Sequence, residues 1–319
     1  MTYNITISEV APSRWDEKIK LDVGGNIFQT TMWAGYMKEK VSAEPRYLTV
    51  FQDGQEVAVL LYFIIGKGSE VFANYYGGKI LAYTSRVLFP KVTWIGGPLF
   101  LKRLTQDEKK GVVRLILKQI NGKRIFATFN EYFEFLQQHQ ETFIVDLKHD
   151  EKRLFAGLQK NVRNSITRSF RAGLNYNVTN KEEDLMKYLH VLQQNRQRAG
   201  LGLPPHFPST MMKKYLRDHM WVVLILKGTD TLAAIGVLEY NGNIIEIAPA
   251  ISDFGFQKYS FVGDCLNWSL IKWGSENNFR TYDLAGVEPS SSDPKIIGIF
   301  NFKKKFGGQL LKRSMIWKT

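Results

Sequence analysis

One arrangement of secondary structure occurs twice in this chain, and the repetition constrains the fold more than any other sequence feature. In the first half, apolar runs at 47–51 and 57–65 flank an Asp-Gly dipeptide, which is a strong signal for a tight hairpin. A helical pattern at 106–120 and a short strand at 124–129 follow. This order of hairpin, helix and strand is typical of an α/β domain with a mixed sheet.

The second half repeats the plan with different residues. Apolar runs at 221–226 and 232–240 predict another hairpin, and an Asn-Gly turn leads to a strand at 244–248. A helix at 261–276 then precedes a strand at 280–284. We therefore predict two tandem α/β domains, since 319 residues fit two ordinary domains better than one. Divergent duplication explains the repeat, although two unrelated α/β domains would give the same pattern.

The predicted boundary follows the apolar strand 142–145, where a charged segment begins. We assign residues 1–147 to the first domain and 148–309 to the second. The second domain is expected to open with one long helix at 151–172 and to continue with a helix at 181–199. The long helix is predicted from apolar residues that recur every four positions: Leu154, Leu158, Val162, Ile166 and Phe170.

The net charge of +13 is concentrated in two segments. Residues 152–171 contain six basic residues and 294–319 contain seven, and neither segment contains an acid. Together they account for the whole excess. Such a local positive potential concentrates anions, so we expect binding of nucleic acid, a nucleotide sugar or membrane headgroups. A solvated, solubilising surface is the alternative.

Several classes of protein and site are excluded by what the sequence lacks. A hydrophobic content of 44% rules out a wholly disordered chain. The single cysteine, Cys265, cannot form an internal disulfide or a thiolate metal site, and its position on an apolar helical stripe predicts a core thiol. The five histidines show no metal-ligand spacing, so no metal site is predicted. No Walker, GxGxxG or GxSxG motif is present.

The sequence also predicts a cytoplasmic location. The N-terminal residues have neither the basic nor the apolar region of a secretory signal. The longest apolar run, 57–65, is about half the length that spans a bilayer, so we predict a buried strand there and no transmembrane segment.

A polar and basic constellation near the C-terminus is the strongest candidate for chemistry. In the segment 282–289 the predicted strand contains Asp283, and Gly286 follows it, where we expect a turn that a side chain would disfavour. A following helix ends in Phe302-Lys303 and a double glycine. A lysine beside an aromatic ring near a strand end can bind a phosphate or stabilise an oxyanion in acyl transfer. Core packing of the phenylalanines with solvated lysines is the alternative.

These residues resemble the C-terminal signature of the FemAB/FemX-type peptidyltransferases, in which a Trp-bearing helix precedes YDxxG and GxxxFKxxFGG. Two weaker similarities are the segment 28–34, FQTTMWA, and the basic helix at 158–174, which is similar to the helix that begins the family's second domain. The positions that match the signature are Tyr282, Asp283, Gly286, Gly298, Phe302, Lys303, Phe306, Gly307 and Gly308.

The resemblance implies two tandem acyl-CoA N-acyltransferase (GNAT)-like domains, with the last strand, 310–319, able to pack back on the first domain. No heptad run interrupts residues 185–226, so the chain is similar to the members without a coiled-coil arm. The implied activity is transfer of an aminoacyl group from aminoacyl-tRNA to an amine of a cell-wall precursor or another phosphorylated or peptide-type acceptor. An amide bond forms, and no cofactor is implied.

The resemblance also implies roles for individual residues. Lys303 would stabilise the negative charge of the tetrahedral intermediate, with Phe302 and Asp283 supporting the site. The residues expected to bind substrate are Tyr282, Gly286, Trp33, Arg163, Arg196 and Arg198. The residues expected to bind nucleic acid are Lys304, Lys305, Lys312, Arg313, Arg168 and Arg171.

Two other functions stay open. An acyl-CoA-dependent N-acyltransferase would have the same fold, but it usually carries a Q/R-x-x-G-x-G/A loop that cradles the pyrophosphate. The segment 254–263 lacks that loop, and so does the segment before the helix at 106–120. A non-enzymatic protein that binds nucleic acid or a partner on the same scaffold is the third possibility.

Overall fold

The computed structural model describes residues 2–72, 77–120, 124–201 and 214–318, which divide into two compact units. Unit 1 comprises Met1–Gln140 together with Lys312–Thr319, and unit 2 comprises Glu141–Leu311. The division falls after Gln140, whereas the sequence pattern placed it after residue 147.

Unit 1 is a mixed sheet with helices. Its strands follow the order β1-β2-β3-β4-β6-β13, with β5 beside β3, and β4 and β6 pair in parallel. The strands are β1 (Tyr3–Ser8), β2 (Glu44–Gln52), β3 (Gln55–Gly66), β4 (Pro90–Trp94), β5 (Leu99–Phe100), β6 (Ile125–Thr128) and the end of β13 (Gln309–Lys318). The helices are α1 (Trp15–Leu21), α2 (Thr31–Val41), α3 (Ser69–Phe72), α4 (Gly78–Leu88) and α5 (Gln106–Ile120).

The predicted hairpin of unit 1 is confirmed. β2 and β3 are antiparallel, and Asp53 (φ 49°) and Gly54 (φ 82°) form the two-residue turn with both residues left-handed. Helix α5 packs its buried Val112 and Ile116 into the core beside the sheet. The C-terminal strand closes this unit, because the backbone of Met315–Lys318 pairs with β6.

Unit 2 is a second mixed sheet, in the order β7-β12-β11-β10-β9-β8, in which β11 and β12 pair in parallel. Its strands are β7 (Gln138–Asp146), β8 (Asn175–Thr179), β9 (Met220–Lys227), β10 (Asp230–Tyr240), β11 (Asn243–Ile251) and β12 (Thr281–Val287). Its helices are α6 (Glu151–Gly157), α7 (Lys160–Arg171), α8 (Glu182–Arg198), α9 (Asp253–Lys258), α10 (Val262–Glu276) and α11 (Pro294–Lys304).

The second repeat also follows the prediction. β9 and β10 form a hairpin, and Asn241 (φ 49°) and Gly242 (φ 72°) make the tight turn from β10 into β11. Helix α10 is buried along most of its length, and Cys265 lies within it as a buried thiol whose pKa is raised by burial. The fold class predicted from the sequence, two α/β units with mixed sheets, is confirmed.

The single long helix predicted at 151–172 is wrong. The chain forms α6 and α7, which are separated by the extended residues Leu158 and Gln159. Gly157 weakens helix at this point, and the Gln159 N–H donates to the carbonyl of Lys305 instead of continuing a helix. The four-residue spacing still buries the first four predicted apolar side chains, whereas Phe170 is exposed.

Candidate functional site

The parallel strands β11 and β12 separate at the centre of unit 2. Their pairing covers only 243–245 and 281–283, although both strands continue beyond these residues. Just past the last pair, each strand contains an alanine in the left-handed region, Ala248 (φ 42°) and Ala285 (φ 57°). The opening lies at the carboxyl ends of two parallel strands, where α/β proteins place their ligands.

The irregularity in β12 is held by side chains. One carboxylate oxygen of Asp283 accepts from the Ala285 N–H at 2.8 Å and lies 2.5 Å from the hydroxyl of Thr142 on β7. That hydroxyl also lies 2.9 Å from the Ala285 carbonyl. The sequence assigned the special backbone to Gly286, but the left-handed residue is Ala285, because the Asp283 carboxylate fixes its N–H. Asp283 is therefore placed to shape the strand.

Lys303 lies where this bulge turns the β12 carbonyls toward α11. Its ammonium donates to the carbonyl of Leu284 and, at 3.5 Å, to that of Gly286. It also lies 3.0 Å from Oε1 of Glu246 on β11. The Lys303 side chain is only 12% exposed and that of Glu246 only 4%. The ammonium thus occupies the opening between the two separated strands.

Glu246 continues a buried polar chain behind the lysine. Its Oε2 accepts from the hydroxyl of Tyr282 at 2.6 Å, and that hydroxyl lies 2.9 Å from Oδ1 of Asn267 on α10. Burial raises the pKa of Glu246, and Lys303 and the Tyr282 hydroxyl lower it in part. Burial and then the Glu246 charge raise the pKa of Tyr282. The tyrosine is therefore neutral at physiological pH and serves to hold the carboxylate.

Phe302 covers the first turn of α10. Its ring would lie 3.5 Å from a Cβ placed on Gly263, and it packs edge-on against Phe306 at 5.3 Å between centroids. Lys305 lies 4.5 Å above the Phe302 ring and 2.8 Å from Oδ1 of Asp264. The N-terminal turn of α10 therefore carries a carboxylate and is partly covered by an aromatic ring.

The double glycine that follows α11 permits close backbone contacts. A Cβ on Gly307 (φ 77°) would lie 2.8 Å from the carbonyl oxygen of Gly157, and one on Gly308 would lie 3.1 Å from that of Ile144. Packing therefore explains the presence of glycine at these two positions of the signature, because side chains there would push α11 away from α6 and β7.

Comparison with solved structures identifies the fold. The crystal structure of FemX superposes with a TM-score of 0.71 over 97% of this chain and 96% of that one, at 12% sequence identity. The chain has the FemX fold. L-PGS from Bacillus licheniformis gives a TM-score of 0.56 at 14% identity, covering 98% of this chain and 93% of that one. A tandem GNAT protein from the clavulanic acid biosynthesis pathway gives 0.50 at 10% identity, covering 99% and 98%.

The two units are therefore the tandem GNAT-like halves that the sequence predicted. No family model matches the chain, and no curated protein matches it either. At these low identities the likeness shows the FemX fold and not an activity.

Within the FemX fold, Arg198 is engaged with its own unit. Its guanidinium pairs with Asp253 and donates to the carbonyl of Ile251 at 2.7 Å, which ties the end of α8 to the end of β11. Arg196 is half-buried two residues earlier. The expected role of Arg196 and Arg198 in binding substrate stays a prediction.

The basic residues of α7 and its flank differ in exposure. Arg163 donates to the carbonyls of Ala156 and Leu158, which closes the break before α7. Arg168 and Arg171 are exposed, and the Arg168 guanidinium lies 4.7 Å from the Phe261 ring centroid. Two cations of this predicted nucleic-acid surface are thus presented to solvent.

The basic residues near the C-terminus also divide into two groups. Lys304 is exposed, whereas Lys305 is paired with Asp264. In unit 1, Lys312 is exposed with its ammonium 4.6 Å from the Tyr132 ring, and Arg313 is half-buried. Because its ammonium is already paired with Asp264, Lys305 is the least suited of these four residues to bind nucleic acid.

The early motif that contains Trp33 helps to hold unit 1 together. Gln29 is fully buried and clamps two segments: its Nε2 donates to the carbonyls of Leu61 (3.2 Å) and Ile95 (2.9 Å), and its Oε1 accepts from Leu61 N–H at 2.7 Å. Trp33 is half-buried and packs edge-on against Phe28. The glutamine of the motif has a structural explanation, and the tryptophan's predicted substrate contact stays a prediction.

Sequence reasoning missed Glu246, Asn267 and Thr142, none of which lies in a recognisable motif. Glu246 had a usable signal, because a lone acid within the apolar strand NIIEIA is costly to bury without a partner. Among residues 2–72, 77–120, 124–201 and 214–318, no cluster of three or more acidic, histidine or cysteine side chains could hold a metal ion. Over the same residues, no helix has the length and apolarity to cross a membrane.

Proposed function

We propose that this protein is an acyl-transfer enzyme that moves an aminoacyl group from aminoacyl-tRNA to an amine and forms an amide bond. The observation that carries the proposal is the Lys303 ammonium, which is held between Glu246 and the β12 carbonyls in the opening between two diverging strands. A preorganised cation in a largely buried site can stabilise an oxyanion strongly.

The reaction needs no nucleophile from the protein. The acceptor nitrogen attacks the ester carbonyl carbon, and the carbonyl electrons move to oxygen. Collapse of this intermediate breaks the bond to the ribose oxygen, which gains a proton as the nitrogen loses one. The Lys303 contact to the Gly286 carbonyl is long, at 3.5 Å, so this N–H is the one that can turn to the oxyanion. Phe302, whose ring packs beside Gly263 in the first turn of α10, is proposed to shape the same opening.

The charge around the two helix N-termini favours a tRNA donor over acyl-CoA. Asp264 lies in the first turn of α10, and Glu108 in the first turn of α5 accepts from the backbone N–H of Thr105 at 2.8 Å. A CoA pyrophosphate would need N–H groups and positive potential at such a helix end. The Glu108 carboxylate opposes it at α5, and the pairing of Asp264 with Lys305 leaves no excess positive charge from this pair at α10. The exposed Arg168, Arg171 and Lys304 would instead contact the phosphates of tRNA.

The acceptor is proposed to be an amine of a cell-wall precursor or of another phosphorylated or peptide-type molecule. This follows the resemblance to the FemAB/FemX family, as does a cytoplasmic location, where charged tRNA is present. Within unit 2, Arg163, Arg196 and Arg198 are proposed as its anion-binding residues and Gly286 as a substrate contact, while Tyr282 supports them by holding Glu246. In unit 1, Trp33 is proposed to contact substrate.

The decisive experiment offers both donors. The protein is mixed with tRNA charged with labelled amino acids or, in parallel, with labelled acetyl-CoA, together with a small-molecule extract of its source cells. We expect label from tRNA in an acid-stable amide product. Lys303→Met should lower the transfer about a hundredfold or more, whereas Lys118→Met, which removes an exposed lysine of α5, should leave it unchanged. Transfer from acetyl-CoA alone would overturn the proposal that aminoacyl-tRNA is the donor. Transfer from neither donor would overturn the proposal that the protein is an acyl-transfer enzyme.

A further inference from the structure

Helix α4 of unit 1 exposes its large apolar residues to solvent and packs on its own unit through small residues. It faces the unit with small residues, since Ala82 is fully buried and Gly78 and Ser85 are also buried. Its large apolar residues point to solvent: Ile80 is 72% exposed and Leu88 62%. Leu81, Tyr83, Val87 and the following Phe89 are exposed too.

The small residues let α4 lie very close to β3. A Cβ on Gly66 would lie 2.5 Å from the backbone nitrogen of Arg86. The Ser85 hydroxyl donates to the Lys67 carbonyl at 2.7 Å, and the Lys67 N–H donates to the Phe89 carbonyl at 3.0 Å. The outward direction of the apolar residues is therefore fixed by the packing of the helix, and rotation would bring bulky side chains into this contact.

Cations lie at both ends of the exposed apolar face. Lys79 is exposed at the start of α4, and Lys67 is exposed beside its end. Near that end the Arg124 guanidinium lies 5.9 Å from the Phe89 ring, and Lys91 follows two residues later. The sequence 77–91 contains no acid. An apolar face with basic residues around it is the composition of helices that lie in the membrane interface.

We infer that α4 docks unit 1 on a membrane surface that carries anionic phospholipid headgroups. The aliphatic side chains would enter the boundary between headgroups and acyl chains, and the lysines would remain at the level of the phosphates. A second copy of the chain fits this face poorly. In a two-fold symmetric contact each face meets itself, so the cations at its ends would meet cations in either orientation.

The inference is tested by binding alone and does not depend on the proposed transfer activity. The full-length protein is sedimented with vesicles of equal parts phosphatidylglycerol and phosphatidylcholine, and with phosphatidylcholine vesicles as a control. We expect binding to the anionic vesicles only, weakened by added salt. Ile80→Ser/Leu88→Ser should reduce the partition coefficient about tenfold or more. Lys67→Gln/Lys79→Gln should reduce it by about fivefold for each charge removed.

The matched control is Val10→Ser/Leu21→Ser, which removes two other exposed apolar side chains of unit 1 and should leave vesicle binding unchanged. A fluorophore attached through Leu81→Cys reports the contact directly, because the natural cysteine is buried. We expect its emission to shift to the blue only with anionic vesicles. The inference is overturned by absent vesicle binding or by equal losses in the control variant. It is also overturned by a dimer in light scattering that Ile80→Ser/Leu88→Ser converts to monomer, since a second copy would then cover the face.

Discussion

The Lys303 ammonium lies 3.0 Å from Oε1 of Glu246, and both side chains are almost completely buried. A buried ion pair is costly to desolvate, so it contributes little net stability compared with an apolar pair of the same size. Removal of one partner is nevertheless strongly destabilising because a buried charge is left behind. The pair is therefore better explained by what it holds in place, a cation at the opening between β11 and β12.

Lys303→Met is expected to lower kcat about a hundredfold or more, the usual effect of removing one oxyanion donor. KM should change little, because the interaction forms mainly in the transition state. The measurement is steady-state transfer with the donor that the first assay identifies, beside Lys118→Met. An unchanged kcat in a folded Lys303→Met protein would exclude this residue as the electrostatic catalyst.

Stability and catalysis at this pair can be separated with a second substitution. Lys303→Met alone should lower the free energy of unfolding by about 3 kcal/mol at neutral pH, because Glu246 loses its partner. Lys303→Met/Glu246→Gln should recover most of that loss, since no buried charge remains. Activity should not recover. Recovery of turnover in the double variant would show that Lys303 acts only as a structural partner of Glu246.

The raised pKa of Glu246 predicts a specific dependence of stability on pH. Between its ordinary value of 4.5 and its raised value, the unfolded chain loses this proton while the folded protein keeps it. The stabilisation from this group is therefore complete below 4.5 and is lost as pH rises through the folded pKa, at up to about 1.4 kcal/mol per pH unit. The free energies of unfolding of wild type and Glu246→Gln, measured at several pH values over this range, should differ by an amount that changes with pH. A difference that is the same at every pH would contradict the raised pKa of Glu246.

Asp283 is expected to act by positioning the β12 carbonyls that hold Lys303. Asp283→Ala removes the acceptor of the Ala285 N–H, so kcat should fall about tenfold. A tenfold loss corresponds to an increase of about 1.4 kcal/mol in the activation free energy. Ala285→Gly in the same background should restore part of it, because glycine adopts the left-handed conformation without a side chain's penalty. Asp283→Asn, which keeps an acceptor oxygen, should lose less. If Ala285→Gly gave no rescue, a direct role of the carboxylate would be favoured instead.

The sequence could predict the duplicated plan because its signals are local. Asp53-Gly54 and Asn241-Gly242 both favour left-handed backbone, and the structure contains both turns. The failures involve long-range contacts. The break after Gly157 depends on the carbonyl of Lys305, which is distant in sequence, and the four-residue spacing of apolar residues does not reveal it.

The candidate site shows the same limit. The signature located Lys303 and Phe302, but Glu246 and Thr142 reach this site through strand pairing that no local pattern encodes. Ala285 took the left-handed role expected of Gly286 because two side chains on different strands fix its backbone. The outward apolar face of α4 escaped prediction since a period of 3.6 residues does not tell which side of a helix is buried.

Gln29 provides a test of the part of the early motif that has a structural explanation. Gln29→Leu would leave the N–H and carbonyl of Leu61 and the carbonyl of Ile95 without this partner in a buried place. We expect a loss of about 3 kcal/mol in the free energy of unfolding, since each such group costs about 1–3 kcal/mol. The exposed Gln119→Leu on α5 is the matched control and should change stability by less than about 0.5 kcal/mol. Denaturant unfolding of the two variants measures both values. Equal stabilities would mean that the clamp between Leu61 and Ile95 contributes nothing, and the glutamine of the motif would then need a role in binding substrate.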